Sequence, residues 1–222
     1  MFGFYRVASA VPEMRVADVD FNAAEITRLM READSRKASL VVFPELAISG
    51  YTCGDLFQQD RLLSSCAEAL RALAKESRSL KLSAVIGLPL RYGNSLYNCA
   101  AVVNKGEIKG IVSKVHIPNY REFYEKRWFR SARDIKAAKL RIGKEEIPFG
   151  TDLVFDFEGV FTFGVEICED LWSVVPPSCG LVAAGAKIVA NLSSSNELVS
   201  KSEYRRELVR HHSARCICGY VY

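Results

Sequence analysis

Three polar residues stand at the ends of apolar runs, which is where open sheets place reactive groups. Glu45 follows Leu40-Val41-Val42-Phe43-Pro44. A carboxylate directly after a buried strand is partly desolvated, which moves its pKa toward the range of a general base. Lys114 ends the run Ile111-Val112-Ser113 and precedes a turn containing Pro118. An ammonium set beside a thiol and a carbonyl stabilises both a thiolate and a developing oxyanion. Cys168 follows Phe163-Gly164-Val165-Glu166-Ile167, at a strand-to-loop corner of the kind that exposes a nucleophile. Glu169 and Asp170 come next, and their charges push a thiol's pKa up, so an active Cys168 requires a nearby cation. Taken singly, each residue has a plainer reading. Glu45 is then a loop carboxylate, Lys114 a solvated surface charge and Cys168 a small buried side chain.

The elements that must position these residues follow from hydrophobic periodicity. Strands are predicted over 2–10, 39–43, 82–88, 96–104 and 108–113, the last two joined as a hairpin by Lys105-Gly106. Helices are predicted over 22–36, with Asn22 and Glu25 as a capping box, and over 61–74. Residues 121–150 are charged and irregular and read as loop and short helix. A second hairpin is predicted over 153–157 and 160–167 through Glu158-Gly159. A helix over 177–185, a strand over 187–192, a helix over 201–214 and a strand over 216–222 follow. Alternating β and α at both ends with antiparallel hairpins between them suits two sheets with helices on their outer faces. No linker, repeat or low-complexity tract divides residues 1–222, which read as one domain. The last residue falls inside a predicted strand, and a truncated domain is expected from that.

Composition narrows the classes. The 222 residues carry a formal net charge of +4, with 30 Lys and Arg among 26 Asp and Glu. No basic run is longer than Arg205-Arg206, which argues against a nucleic-acid groove. No signal-peptide pattern and no apolar run of membrane-spanning length is present, so a soluble cytoplasmic protein without a membrane partner is expected. The seven cysteines lack the dense spacing of a secreted disulfide scaffold. Cys216-Ile217-Cys218 reads as part of a strand, with no His or further Cys pair near enough to complete a metal site, and is expected to be packing.

In order along the chain, Glu45, Lys114 and Cys168 resemble the Glu-Lys-Cys triad of the nitrilase (carbon–nitrogen hydrolase) superfamily. Four local segments are similar to glutaminase domains of the glutamine-dependent NAD synthetase type. They are Phe43 to Tyr51 with Gly54-Asp55-Leu56-Phe57; Pro118-Asn119-Tyr120 with Phe123 and Glu125 to Phe129; Val165 to Trp172; and Asn191 to Ser195. The resemblance implies a mixed α/β, four-layer α-β-β-α sandwich that forms homo-oligomers. It implies glutamine as substrate, Glu45 as general base, Cys168 as nucleophile, and Lys114 with the Glu169 N–H as oxyanion donors. It also carries Tyr51, Tyr120, Phe123, Glu125, Glu169 and Ser195 over to the glutamine pocket, with Glu125 as a further acid supporting the triad.

Lys201 falls near the cationic position that holds the substrate carboxylate in the family, while Asn196 stands where a proline is usual. No glycine-rich pyrophosphate cradle is present, so no cofactor or metal is expected in this domain. ATP and magnesium would belong to a carboxyl-terminal synthetase domain absent from these residues. Two alternatives stay open: a free-standing amidase, carbamoylase or nitrilase of the same superfamily, and a non-catalytic interaction domain with a silent site.

Overall fold

The structure, a computed structural model, describes residues 4–135 and 138–222. Two sheets form its centre. The larger has seven strands in the order β1-β2-β3-β4-β5-β7-β6. These are β1 (Val7–Ser9), β2 (Leu40–Val42), β3 (Ser83–Tyr92), β4 (Ser95–Asn104), β5 (Glu107–Ser113), β6 (Ala138–Ile142) and β7 (Glu145–Gly150). β1, β2 and β3 run parallel, and β3, β4 and β5 form an antiparallel meander. The smaller sheet has the order β11-β10-β9-β8. Its members are β8 (Val154–Phe157), β9 (Phe161–Ile167), β10 (Ile188–Leu192) and β11 (Gly219–Val221), with β9, β10 and β11 parallel.

The period-2 alternation of β2 shows how the layers are built. Leu40 and Val42 point into the apolar layer between the sheets, with Val85, Val102, Phe163, Val165 and Ala190. Val41 points the other way, toward α1 (Val19–Ser35) and α2 (Asp60–Glu76), among Ile26, Met30, Cys66 and Leu70. A strand buried on both faces must be apolar throughout, which is what residues 40–42 are. On the far face of the smaller sheet lie α3 (Pro177–Ala183) and α4 (Lys201–Cys216). Gly164 permits that contact: a Cβ there would lie 2.9 Å from the Leu181 side chain. The four-layer α-β-β-α sandwich expected from the sequence is the observed architecture.

Several local expectations are corrected. The cap of α1 is Asp18, whose carboxylate accepts from Phe21 N at 3.2 Å. Asn22 is buried instead, donating to Arg15 O at 2.8 Å and Ile48 O at 3.0 Å. An amide that must be satisfied inside the fold is not free to cap a helix end. Residues 121–150 hold, besides a 3-10 turn at Glu125–Arg127, the antiparallel pair β6–β7, whose charged outward positions hid the alternation of Leu140, Ile142, Ile147 and Phe149. The first strand is short, and residues 2 and 3 of the expected run lie outside the described residues. Cys216 is not in a strand: it ends α4, one turn after His212, and both sit beside Cys179 of α3.

Candidate active site

The parallel strands β2, β9 and β10 run toward one end of the sandwich, and the antiparallel pair β4–β5 brings Asn98 and Lys114 to that same end. Glu45 lies three residues beyond β2, in a loop pressed against β3. A Cβ on Gly87 would fall 2.4 Å from Leu46 N and 2.6 Å from Pro44 O, so only glycine lets the loop close there. Leu46 adopts φ +54°, a strained conformation held by that packing. Glu45 is thereby fully buried. Its Oε1 accepts from Lys114 Nζ at 2.6 Å and from Asn98 Nδ2 at 2.7 Å, and its Oε2 accepts from Ser194 N at 3.1 Å.

Lys114 follows β5 directly and has no exposed surface. It also donates to both oxygens of Glu125, at 2.8 and 3.0 Å. Burial works to discharge the ammonium, but the charges of Glu45 and Glu125 and the hydrogen bond to Glu125 oppose it, and Lys114 is held above its usual range. Glu125 is also buried, and burial with the nearby Glu45 charge raises its pKa although Lys114 and Tyr51 oppose the shift. Tyr51 Oη donates to Glu125 at 2.8 Å. One ammonium therefore serves two carboxylates, with amide and phenol donors completing their shells.

Cys168 sits on the first residue after β9 at φ +47°, a sharp corner that few non-glycine residues adopt. Asn191 of β10 accepts from Cys168 N at 3.0 Å and fixes that corner. Ser193 Oγ donates to Cys168 Sγ at 3.4 Å. Burial and the Glu45 charge push the thiol up to about 12, against the opposing pull of Lys114 and Ser193. The resting group is thus a thiol, and attack on a carbonyl requires a base that takes its proton in the same step.

Two stitches hold the halves of the site together. Asp170, fully buried, accepts from Val115 N at 3.1 Å, His116 N at 2.7 Å and Ile167 N at 3.0 Å, tying the turn after Lys114 to the turn after Cys168. Ser194 donates from its N–H to Glu45 and from its hydroxyl to Glu45 O at 3.1 Å, tying β10 to the loop after β2.

A cavity of about 350 Å³ opens from Cys168. Tyr120, Phe123, Glu169, Ser195 and Lys201 all line it. Tyr120 Oη donates to both Glu169 oxygens at 3.0 Å, and burial raises the pKa of Glu169. Lys201 Nζ lies 5.5 Å from the Trp172 ring centroid and 5.7 Å from that of Phe123, and it donates to Asn196. Tyr204 stacks on Trp172 and closes the same wall.

Of the residues singled out from sequence, Glu45, Lys114, Cys168 and Glu125 are brought together, and five more surround the cavity. Tyr51 and Glu125 do not line it: they back the Lys114 ammonium from behind. Asn98 was missed. It is an amide buried inside the apolar run of β4, donating to Glu45 and more distantly to Glu125 at 3.4 Å. An isolated Asn in a fully buried strand is itself the signal, because such a group persists only with partners. The structural roles of Asn191 and Asp170 became visible only when their strand ends met. No metal-ligand cluster occurs at this site among the described residues.

The profile of the carbon-nitrogen hydrolase family matches residues 6–221. A glutamine-dependent NAD(+) synthetase of Mycobacterium tuberculosis is 42% identical over 223 residues, covering 99% of this chain and 32% of that protein. One from Thermotoga maritima is 31% identical over 222 residues, covering 97% and 35%. The chain thus spans about a third of the length of these curated relatives. Among solved structures, a glutamine-dependent NAD(+) synthetase from Cytophaga hutchinsonii superposes with a TM-score of 0.87 at 28% identity, over 97% of this chain and 35% of that one. An amidase from Nesterenkonia sp. gives 0.76 at 18% identity over 98% and 75%, a likeness of fold alone.

Proposed function

The chain belongs to the carbon–nitrogen hydrolase family, and we propose that it hydrolyses the side-chain amide of glutamine through a thioester on Cys168. The observation that carries this reading is the pairing of a buried Glu45–Lys114 ion pair at the end of one sheet with Cys168 at the end of the other, where Cys168 lines the cavity. As the thiol attacks the carboxamide carbon, Glu45 takes its proton. Lys114 Nζ and the N–H of Glu169 receive the oxyanion. Glu45 then protonates the departing ammonia and activates the water that cleaves the γ-glutamyl thioester.

Glutamine, over a simple amide, is favoured by the charges set along the cavity wall. Lys201 suits the substrate's carboxylate as a point charge, and the paired Tyr120 and Glu169 suit its ammonium. The ammonia would serve a carboxyl-terminal, ATP-dependent NAD synthetase domain, because the chain matches only a third of relatives that bear that name. No cofactor or metal is needed for the steps at residues 1–222. Homo-oligomers in the cytoplasm complete the proposal. Among the described residues no helix is long and apolar enough to cross a membrane.

The test is covalent labelling with a glutamine-like diazo-ketone, read by intact mass and peptide mapping. A single adduct on Cys168, blocked by glutamine and lost in Lys114→Ala, is expected. Protection by short aliphatic amides but not by glutamine would move the assignment to a free-standing amidase. Indifferent labelling of several cysteines would overturn the site.

A further inference from the structure

Away from the catalytic cleft, on the outer face of the smaller sheet, three side chains of metal-binding type converge. Cys179 comes from α3, and His212 and Cys216 come from consecutive turns of α4, with all ligand atoms within 4.8 Å of one another. We propose that Cys179, His212 and Cys216 form a binding site for a soft divalent cation of the zinc class, clamping α3 to α4.

The spacing fits. Tetrahedral zinc with bonds of about 2.3 Å to sulfur and about 2.0–2.1 Å to nitrogen places the two ligand atoms about 3.6 Å apart. Cys216 Sγ and His212 Nε2 are 3.6 Å apart. Residues 212 and 216 share one helix face because they are four apart. Two thiolates and a neutral imidazole balance a dication, and soft sulfur donors select zinc over magnesium or calcium. Arg215 Nη2 donates to Cys179 Sγ at 3.3 Å, a contact that would also stabilise a metal-bound thiolate there.

Binding through Nε2 requires the imidazole proton on Nδ1. Arg215 Nη2, now 3.0 Å from Nδ1 and exposed, turns away from that nitrogen while keeping its contact to Cys179, and Ser178 Oγ gives up its 2.7 Å contact to Nε2. Two thiol protons leave to solvent, and no electron transfer occurs.

A second observation points the same way. Ile217 is 92% exposed and held at φ +52°, a conformation costly for a β-branched residue. Cys218 N donates to Ser213 O at 3.2 Å and Ser213 Oγ donates to Cys218 O at 2.6 Å, which closes that kink and fixes Cys216 at the end of α4 beside Cys179. The fourth tetrahedral position falls to water. The cluster also adjoins the nucleophile's supports, since Ser178 N donates to Glu166 at 2.9 Å, two residues before Cys168.

Cobalt(II) added to the reduced, chelator-stripped chain tests the proposal. A thiolate-to-metal charge-transfer band should saturate at one metal per chain and be displaced by zinc. It should persist in Cys168→Ala and disappear in Cys216→Ser and in Cys179→Ser, each first verified as folded by circular dichroism. Zinc should raise the Tm of the parent chain and leave that of Cys179→Ser unmoved. Absence of a saturating band, or a band lost in Cys168→Ala and kept in both serine variants, would overturn the site.

Discussion

On the larger sheet's side of the cleft, two buried carboxylates share one ammonium, because Glu45 and Glu125 both bind Lys114. On the smaller sheet's side, two buried carboxylates have no ion-pair partner among the described residues. Asp170 is held by three backbone N–H groups, and Glu166 by Ser178 N and the Tyr220 hydroxyl. The difference separates chemistry from alignment. A charge placed against a thiol and a substrate carbonyl changes their reactivity, and it needs a counter-charge to stay buried. A carboxylate satisfied by backbone donors fixes loops and demands no cation near the nucleophile.

The strongest way to break this contrast is to remove the shared cation. Lys114→Met leaves two carboxylates unpaired and should lower stability by about 3–5 kcal/mol in denaturant melts. The loss should grow with pH. Without the ammonium nothing of its strength opposes the burial that raises the Glu125 pKa, so stability is fullest in acid and falls as pH rises through that elevated pKa. A variant equally stable across pH would show that the cluster is not held by charge.

Asn98→Ala removes one donor from each buried carboxylate without changing charge. A cost of about 1–3 kcal/mol is expected, with a fall in kcat as Glu45 loses its orientation. Unchanged stability and kcat would reduce Asn98 to filler.

Glu45→Gln carries the contrast to the nucleophile. The Glu45 charge helps hold the Cys168 thiol at about 12, so removing it should lower that value. Iodoacetamide alkylation at neutral pH should then quicken by about tenfold per unit of lowering, while hydrolysis of the amide is lost. Slower alkylation in this variant would mean that Glu45 already draws the proton in the resting enzyme.

The smallest effect is expected on the cation-free side. Tyr220→Phe deletes one hydroxyl that donates to Glu166 and accepts from Asn191 at 3.1 Å. A loss of about 0.5–1.5 kcal/mol is expected, with a modest fall in kcat and little change in KM. A loss as large as that of Lys114→Met would erase the distinction between the two sides.

Much of the arrangement is local enough to read along the chain. Residues 40–42 had to be a strand buried on both faces, because the unbroken apolar run from Leu40 to Phe43 leaves no solvent side. The 3.6-residue spacing of Leu63, Cys66 and Leu70 had to be a helix. Ordered segments around Glu45, Lys114 and Cys168 pointed to a hydrolase before any contact was known. The β6–β7 pair was hidden because its outward positions are charged, and a half-exposed hairpin carries a weak apolar signal.

Distance in sequence marks the remaining boundary. The family and most element types, β6, β7 and the end of α4 excepted, are set by neighbours within a few positions, and so the sequence alone determined them. That Asn98 lies against Glu45, that Asp170 spans from Cys168 to the turn after Lys114, and that Cys179 meets His212 and Cys216 were decided only by the packing of strands and helices. Those contacts join residues dozens of positions apart, and burial alone turns each polar side chain from a solvated group into one that must find its partner.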